Sequence, residues 1–200
     1  MWERGQGVRG ARLPGLMRAI PATLALAGVL LLAPQARAAG PRISPIQVAV
    51  DGDRLLAAFA LRDGFDDRLR KRIESGLPTS ILYVVELHRD RKRWYDLRLQ
   101  ENTLEVTTMY DAVARAYNVH FKLDGKLIES RTVHDLKAAQ EAMTEIGPVP
   151  VFQITGLPHE WRLLLKVRAE TGSRNLLSLI PVTIGTDWKE SPKFRVPGTP

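Results

Sequence analysis

The chain has 200 residues, no cysteine, and 29 Lys+Arg against 22 Asp+Glu, a formal net charge of +7. Apolar residues make up 44% and charged residues 26%, an ordinary globular balance for one domain or two small ones. With no cysteine there is no disulfide, thiolate-held zinc, iron–sulfur cluster, thiol nucleophile or acylated lipoprotein cysteine.

The N-terminus reads as an export signal. Arg4, Arg9, Arg12 and Arg18 precede Ile20–Ala33, a run of 14 residues without a charge. Pro34 breaks that run, and Ala36-Arg37-Ala38 puts small residues at the −3 and −1 positions of a cleavage site. This order predicts a Sec-type signal peptide over residues 1–38, cut near Ala38, and a periplasmic or secreted product. The alternative is a retained anchor, but a spanning helix needs about 20 apolar residues. No Arg-Arg pair marks a twin-arginine leader. Removing the five arginines and one glutamate of residues 1–38 leaves 24 Lys+Arg against 21 Asp+Glu, a net +3. The basicity is therefore mostly a targeting feature, and nucleic acid is not expected as a partner.

Residues 39–200 read as one domain with its core over about 43–196. Ile46, Val48 and Val50 alternate with polar or small residues, a half-buried strand pattern. Asp51-Gly52-Asp53 signals a hairpin turn, and Leu55–Leu61 returns. Asp66 is positioned to cap a short helix whose stripe is Leu69, Ile73 and Leu77, stopped by Gly76 and Pro78. Ile81–Leu87 is a strand, and His88–Arg93 a charged tip. Trp94–Leu99, Leu104–Tyr110 and Tyr117–Leu123 alternate as further strands. Asp124-Gly125 is the strongest hairpin signal, with Lys126–Ser130 beyond it.

Thr132 with Asp135 resembles a capping box for a second helix carrying Val133, Leu136, Met143 and Ile146, ended by Gly147-Pro148. Val151–Ile154 is a short strand, and Trp161–Ala169 alternates most clearly of all. Its outward Arg162, Lys166 and Arg168 call for acidic residues opposite. Leu176–Ile184, around Pro181, reads as an edge strand or irregular segment. Trp188 and Phe194 are possible tethers of the polar tail. Roughly eight strands with two short helices in connections predict a mainly β fold, an antiparallel β-sandwich of immunoglobulin-like type.

Several of these features, in this order, resemble a known family. They are Asp51-Gly52-Asp53, Gly64-Phe65, Ser75-Gly76-Leu77-Pro78, Tyr83 with Glu86, Arg93-Trp94-Tyr95-Asp96, Tyr110 with Tyr117, and Trp188, Ser191 and Phe194. Over about residues 43–196 the chain resembles the exported bacterial family labelled DUF4390, of unknown function. The resemblance implies an exported single-domain protein and suggests an envelope partner, a membrane sensor kinase of the nitrogen-regulation type. It supplies no catalytic residues and no cofactor.

The residues themselves carry little chemistry. His88, His120, His134 and His159 have no H-x-x-x-H or H-E-x-x-H spacing. There is no G-x-S-x-G elbow and no Gly-rich phosphate loop. Asp66-Asp67 sits at a helix start, where the dipole accounts for it. No catalytic, cofactor or metal residue is expected. The candidate interaction surface is His88, Arg89, Arg91, Lys92, Arg93 and Trp94, suited to an acidic partner or a weak anionic membrane contact; a solvated loop guarding a sheet edge is the plainer reading. The expectation is a non-catalytic envelope binding protein. The alternative is an envelope hydrolase whose site is assembled from distant residues.

Overall fold

The computed structural model describes residues 40–91, 95–176 and 180–197. The expected signal segment lies outside the described residues, as do Lys92, Arg93 and Trp94 of the basic tip. The described chain is mainly β, with two helices and antiparallel pairing throughout.

Two sheets account for the strands. In the smaller sheet, β3 (Arg54–Arg62) is central. β1 (Arg42–Ile43) and β2 (Gln47–Asp51) pair along one edge of it, and β8 (Glu145–Gln153) along the other. In the larger sheet, β4 (Thr79–Arg89), β5 (Leu97–Asp111), β6 (Ala116–Leu123) and β7 (Lys126–Val133) form a meander. β9 (Leu163–Leu176) pairs with the other edge of β4, and β10 (Ile180–Gly185) and β11 (Lys189–Glu190) follow β9. At the β6–β7 hairpin Asp124 and Gly125 have φ of 47° and 78°. Positive φ at both central residues is what a two-residue hairpin of the right twist requires, and Asp-Gly supplies it with little strain.

Alternation decides which side chains are buried. On β4, Ile81, Tyr83, Val85 and Leu87 are fully buried, and on β9 so are Leu163, Leu165, Val167 and Ala169. They join Leu55 and Phe59 of the smaller sheet in one hydrophobic cluster. Each large apolar side chain so buried contributes about 1.5–3 kcal/mol. Tyr83 ties the layers together: its ring meets Phe59 edge-on at 5.2 Å, and its hydroxyl donates to the Met143 carbonyl at 2.7 Å. Burial pushes the Tyr83 phenol pKa up, with the Glu145 carboxylate adding to the effect, so it serves as a neutral donor.

Helix α1 (Asp67–Glu74) bridges β3 and β4. The Asp66 carboxylate accepts from the Leu69 amide at 2.9 Å, and Leu69 and Ile73 are buried. Leu77 departs from the expected stripe: it lies past the helix end and is 51% exposed. Helix α2 (Leu136–Thr144) is shorter than expected. Its cap is Asp135, accepting from the Ala138 amide at 2.7 Å, while Thr132 still belongs to β7. Ile146, Gly147 and Pro148 belong to β8. That strand tolerates Pro148 and Pro150 because it pairs only with β3, leaving one edge free of donors to satisfy. The strands expected over 94–99 and 104–110 are joined from Leu97 on as one long strand, β5.

Candidate functional site

The most concentrated polar chemistry of the domain lies on the outer face of the larger sheet. The odd positions of β4 point into the core, so Glu86 and His88 share the opposite face. Both are nonetheless buried. Glu86 Oε2 lies 2.7 Å from His88 Nε2, and Arg98 Nη1 donates to Glu86 Oε1 at 2.9 Å. Arg98 also pairs with Glu101. This convergence depends on a β-bulge. Leu87 pairs with Gln100, but the next residue, His88, pairs with Arg98, so Leu99 is the extra residue of β5. The bulge turns Arg98 onto the face of Glu86, where an unbroken strand would have directed it away.

Burial pushes the Glu86 carboxyl up, but the hydrogen bonds and charges of His88 and Arg98 outweigh it and hold its pKa below the ordinary value. The carboxylate is therefore ionised at neutral pH and orients the imidazole beside it. With Nε2 so engaged, His88 Nδ1 is left buried with no hydrogen-bond partner among the described residues.

Around this pair the charges close on one another. Lys166 of β9 reaches Asp96 at 3.6 Å and Glu190 at 2.8 Å. Because β4 lies between β5 and β9, Asp96 makes this contact across the outer face of β4. The hydrogen bond to Glu190 raises the Lys166 pKa, aided by the nearby carboxylates and opposed by partial burial. Asp90 takes Lys193 at 2.9 Å and Arg162 at 3.4 Å, and Arg168 pairs with Glu170 at 2.8 Å. Acidic partners stand opposite Arg162 and Lys166, as expected, whereas Arg168 pairs with Glu170 two residues along its own strand.

The expected interaction residues separate into groups. His88 and Arg89 belong to β4, not to a loop. His88 is buried against Glu86, and the Arg89 guanidinium stacks on the Trp161 ring at 4.0 Å. Arg91 is exposed. Tyr95, next to the expected set, is 97% exposed. His120 bonds Ser130 on β6–β7, two strands away from His88, so the two histidines do not meet. Among the described residues no three metal-ligating side chains converge. Elsewhere, Gly52, Asp53, Gly156, His159 and Val196 line an open cleft of about 560 Å³. It is separate from the Glu86–His88 pair. Arg98 and Glu101 escape sequence reasoning because a bulge leaves no mark in the hydrophobic alternation.

The comparisons agree with the order of motifs. The family model described as a domain of unknown function (DUF4390) matches residues 38–194. Comparison with curated proteins and with solved structures finds no match. The match to the family model spans most of the chain, from the start of the folded domain to the strand-like contact at Phe194, and the protein belongs to the DUF4390 family.

Proposed function

We propose that the protein is a non-catalytic interaction module of the bacterial envelope, exported by residues 1–38 and folded as a β-sandwich of its two antiparallel sheets. The single cluster of side chains drawn from both sheets supports the sandwich. The reading of contact rather than bond-breaking rests on one observation: the exposed Arg91 and Tyr95 each adjoin an ion-paired aspartate. Asp90 holds Arg162 and Lys193, and Asp96 holds Lys166. Between these anchors, Arg91 is exposed and the Tyr95 side chain stands 97% clear. Tyr and Arg are favoured at interface centres, and residues whose chain neighbours are already held lose less entropy on binding.

The partner suited to this basic surface is an acidic face of an envelope protein, such as a membrane sensor kinase. A photo-crosslinking residue at Tyr95 tests the reading in cells. A discrete adduct identified by mass spectrometry, and reduced by Arg91→Glu, supports it. Crosslinks no more selective than those from a site on β7 contradict it.

The buried Glu86–His88 pair favours a second reading, an envelope hydrolase in which Glu86 orients His88 as the general base. His88→Ala separates the two. A hydrolase loses turnover of ester, amide or glycoside probes, whereas an interaction module keeps its Tyr95 adduct.

A further inference from the structure

The larger sheet ends in an open edge. Among the described residues β7 pairs only with β6, and every residue from Lys126 to Thr132 is exposed. Leu127 is 60% exposed and Ile128 41%. The strand at the other edge, β10, carries Pro181, which has no amide to offer an incoming strand. β7 holds no proline, and an edge of this kind is a template for a further strand. Its pairing fixes which backbone groups are free. The Asp124 amide donates to the Thr103 carbonyl, so the even-numbered residues of β6 bond β5 and the odd-numbered ones bond β7. Val119 and Phe121 thus engage the backbone of their partners Arg131 and Glu129. The register shift beside Phe121 leaves Ile128 as an extra residue, and Glu129–Val133 runs regularly after it. The amides and carbonyls of Ser130 and Thr132 point out of the sheet, with no backbone partner among the described residues.

This free run is complementary to itself. A second, antiparallel β7 related by a two-fold axis at Ser130 sets Ser130 against its own copy and Glu129 against Arg131 in both directions. Opposed residues between hydrogen-bonded pairs have Cα atoms about 4.5 Å apart, close enough for opposite charges to stabilise the pairing. The two neighbouring registers that keep the free backbone groups opposed set Glu129 against Glu129 or Arg131 against Arg131, and like charges directly opposite are destabilising. Charge therefore selects one register. Glu129 and Arg131 already pair along their own strand, and the Arg131 guanidinium is seated over the Phe121 ring at 4.7 Å. A second copy turns that pair into an alternating set of charges across the axis.

An unrelated strand would have to carry an acid and a base two residues apart in the reverse order, whereas a second copy does so by symmetry. We propose that the protein self-associates through β7, as a two-fold dimer in which the larger sheets of both copies join in the Ser130-to-Ser130 register. A crosslink from β7 then reports a second copy of this chain, which its mass distinguishes from the partner sought at Tyr95.

The chain has no native cysteine, so Ser130→Cys in the full chain reads the axis directly. Residues opposed there as a hydrogen-bonded pair have Cα atoms about 5.5 Å apart, within disulfide reach. Mild oxidation should give a disulfide dimer in far higher yield than Ala49→Cys, an exposed control on β2. Adding Glu129→Arg, or Arg131→Glu, to the Ser130→Cys chain opposes like charges and should cut the yield about tenfold. Mixing these two charge variants restores opposite charges at both positions. The yield should then recover, and intact mass should show the mixed dimer in preference to either like dimer. Recovery also shows that both variants are folded. A Ser130→Cys yield no greater than that of Ala49→Cys overturns the proposal. So does a yield indifferent to the charge variants, or a mixture that does not favour the mixed dimer.

Discussion

Arg98 and Glu101 stand three residues apart on one β-strand and nonetheless share a face, where Arg98 bridges Glu101 and Glu86. In a regular strand a separation of three places side chains on opposite faces. The bulge at Leu99 removes one step of that alternation and delivers the guanidinium to a carboxylate already buried beside His88. A local backbone irregularity therefore satisfies a buried charge that regular pairing would have left with only a histidine.

Glu86 makes stability depend on pH in a definite direction. Its pKa in the folded protein lies below the ordinary 4.5. In the interval between the two values the unfolded chain binds more protons, so stability rises with pH there. The contribution is complete above the unfolded value and is lost as pH falls through the folded one. Glu86→Gln should cost about 1–2 kcal/mol at neutral pH, the worth of weakening hydrogen bonds to a charged group. The difference from the unmodified protein should close under acid conditions. Urea unfolding from about pH 7 to about pH 3 checks this; parallel stability curves for the two proteins would contradict it.

The parts of the fold that follow from periodicity were legible in the chain, and the parts that follow from neighbours were not. Trp161–Ala169 alternates so regularly that its buried face, Leu163 through Ala169, could be named outright. Asp66 and Asp124-Gly125 act through their own backbone and so declare themselves locally. Ile146, by contrast, lies at helical spacing from Met143 yet belongs to β8, because pairing with Phe59 of β3 overrides the local pattern. Leu77 fits the stripe of Leu69 and Ile73 by spacing, but the helix has already ended before it. At the candidate site, the charge on His88–Arg91 was visible. That His88 is buried beside Glu86 on the outer face of its sheet, while Tyr95 is exposed, depends on strand neighbours such as Leu164 of β9, which are distant in sequence.

Tyr83→Phe isolates one interlayer hydrogen bond. The ring keeps its place against Phe59, but the Met143 carbonyl loses its donor in a buried setting. The cost should be about 1–2 kcal/mol, read as a lower urea midpoint with an unchanged slope. Because burial raises the Tyr83 pKa, this phenol should also be missing from the alkaline absorbance titration of the folded protein and appear only on unfolding. An ordinary titration of all four tyrosines in the folded state would contradict that environment.

Gly185 sits where β10 comes against β9 at a break in register. A Cβ there would lie 2.6 Å from the Ala169 carbonyl oxygen, which is backbone with little room to retreat. Gly185→Ala should cost about 1–3 kcal/mol through overpacking, lowering Tm by about 2–4 °C per kcal/mol for a domain of this size. Gly147→Ala is the control, because a Cβ at Gly147 meets nothing within 4 Å. Equal Tm changes in the two variants would show that the close approach is absent.

Ser191 fastens the C-terminal segment to the sheet and so tests whether the tail is structural. It is buried; its hydroxyl accepts from the Leu165 amide at 2.9 Å, and its own amide donates to the Leu165 carbonyl at 2.8 Å. Three residues on, Phe194 exchanges two 2.9 Å backbone bonds with Leu163. Ser191→Ala leaves the buried Leu165 amide without an acceptor, which should cost about 1–3 kcal/mol. The Lys166–Glu190 pair lies beside this bond, so loosening should spread to it. Hydrogen exchange is then expected to speed up at Leu163 and Leu165 before it does at Val85, which is held between β5 and β9. Uniform acceleration across both strands would mean that the tail unfolds only with the whole domain.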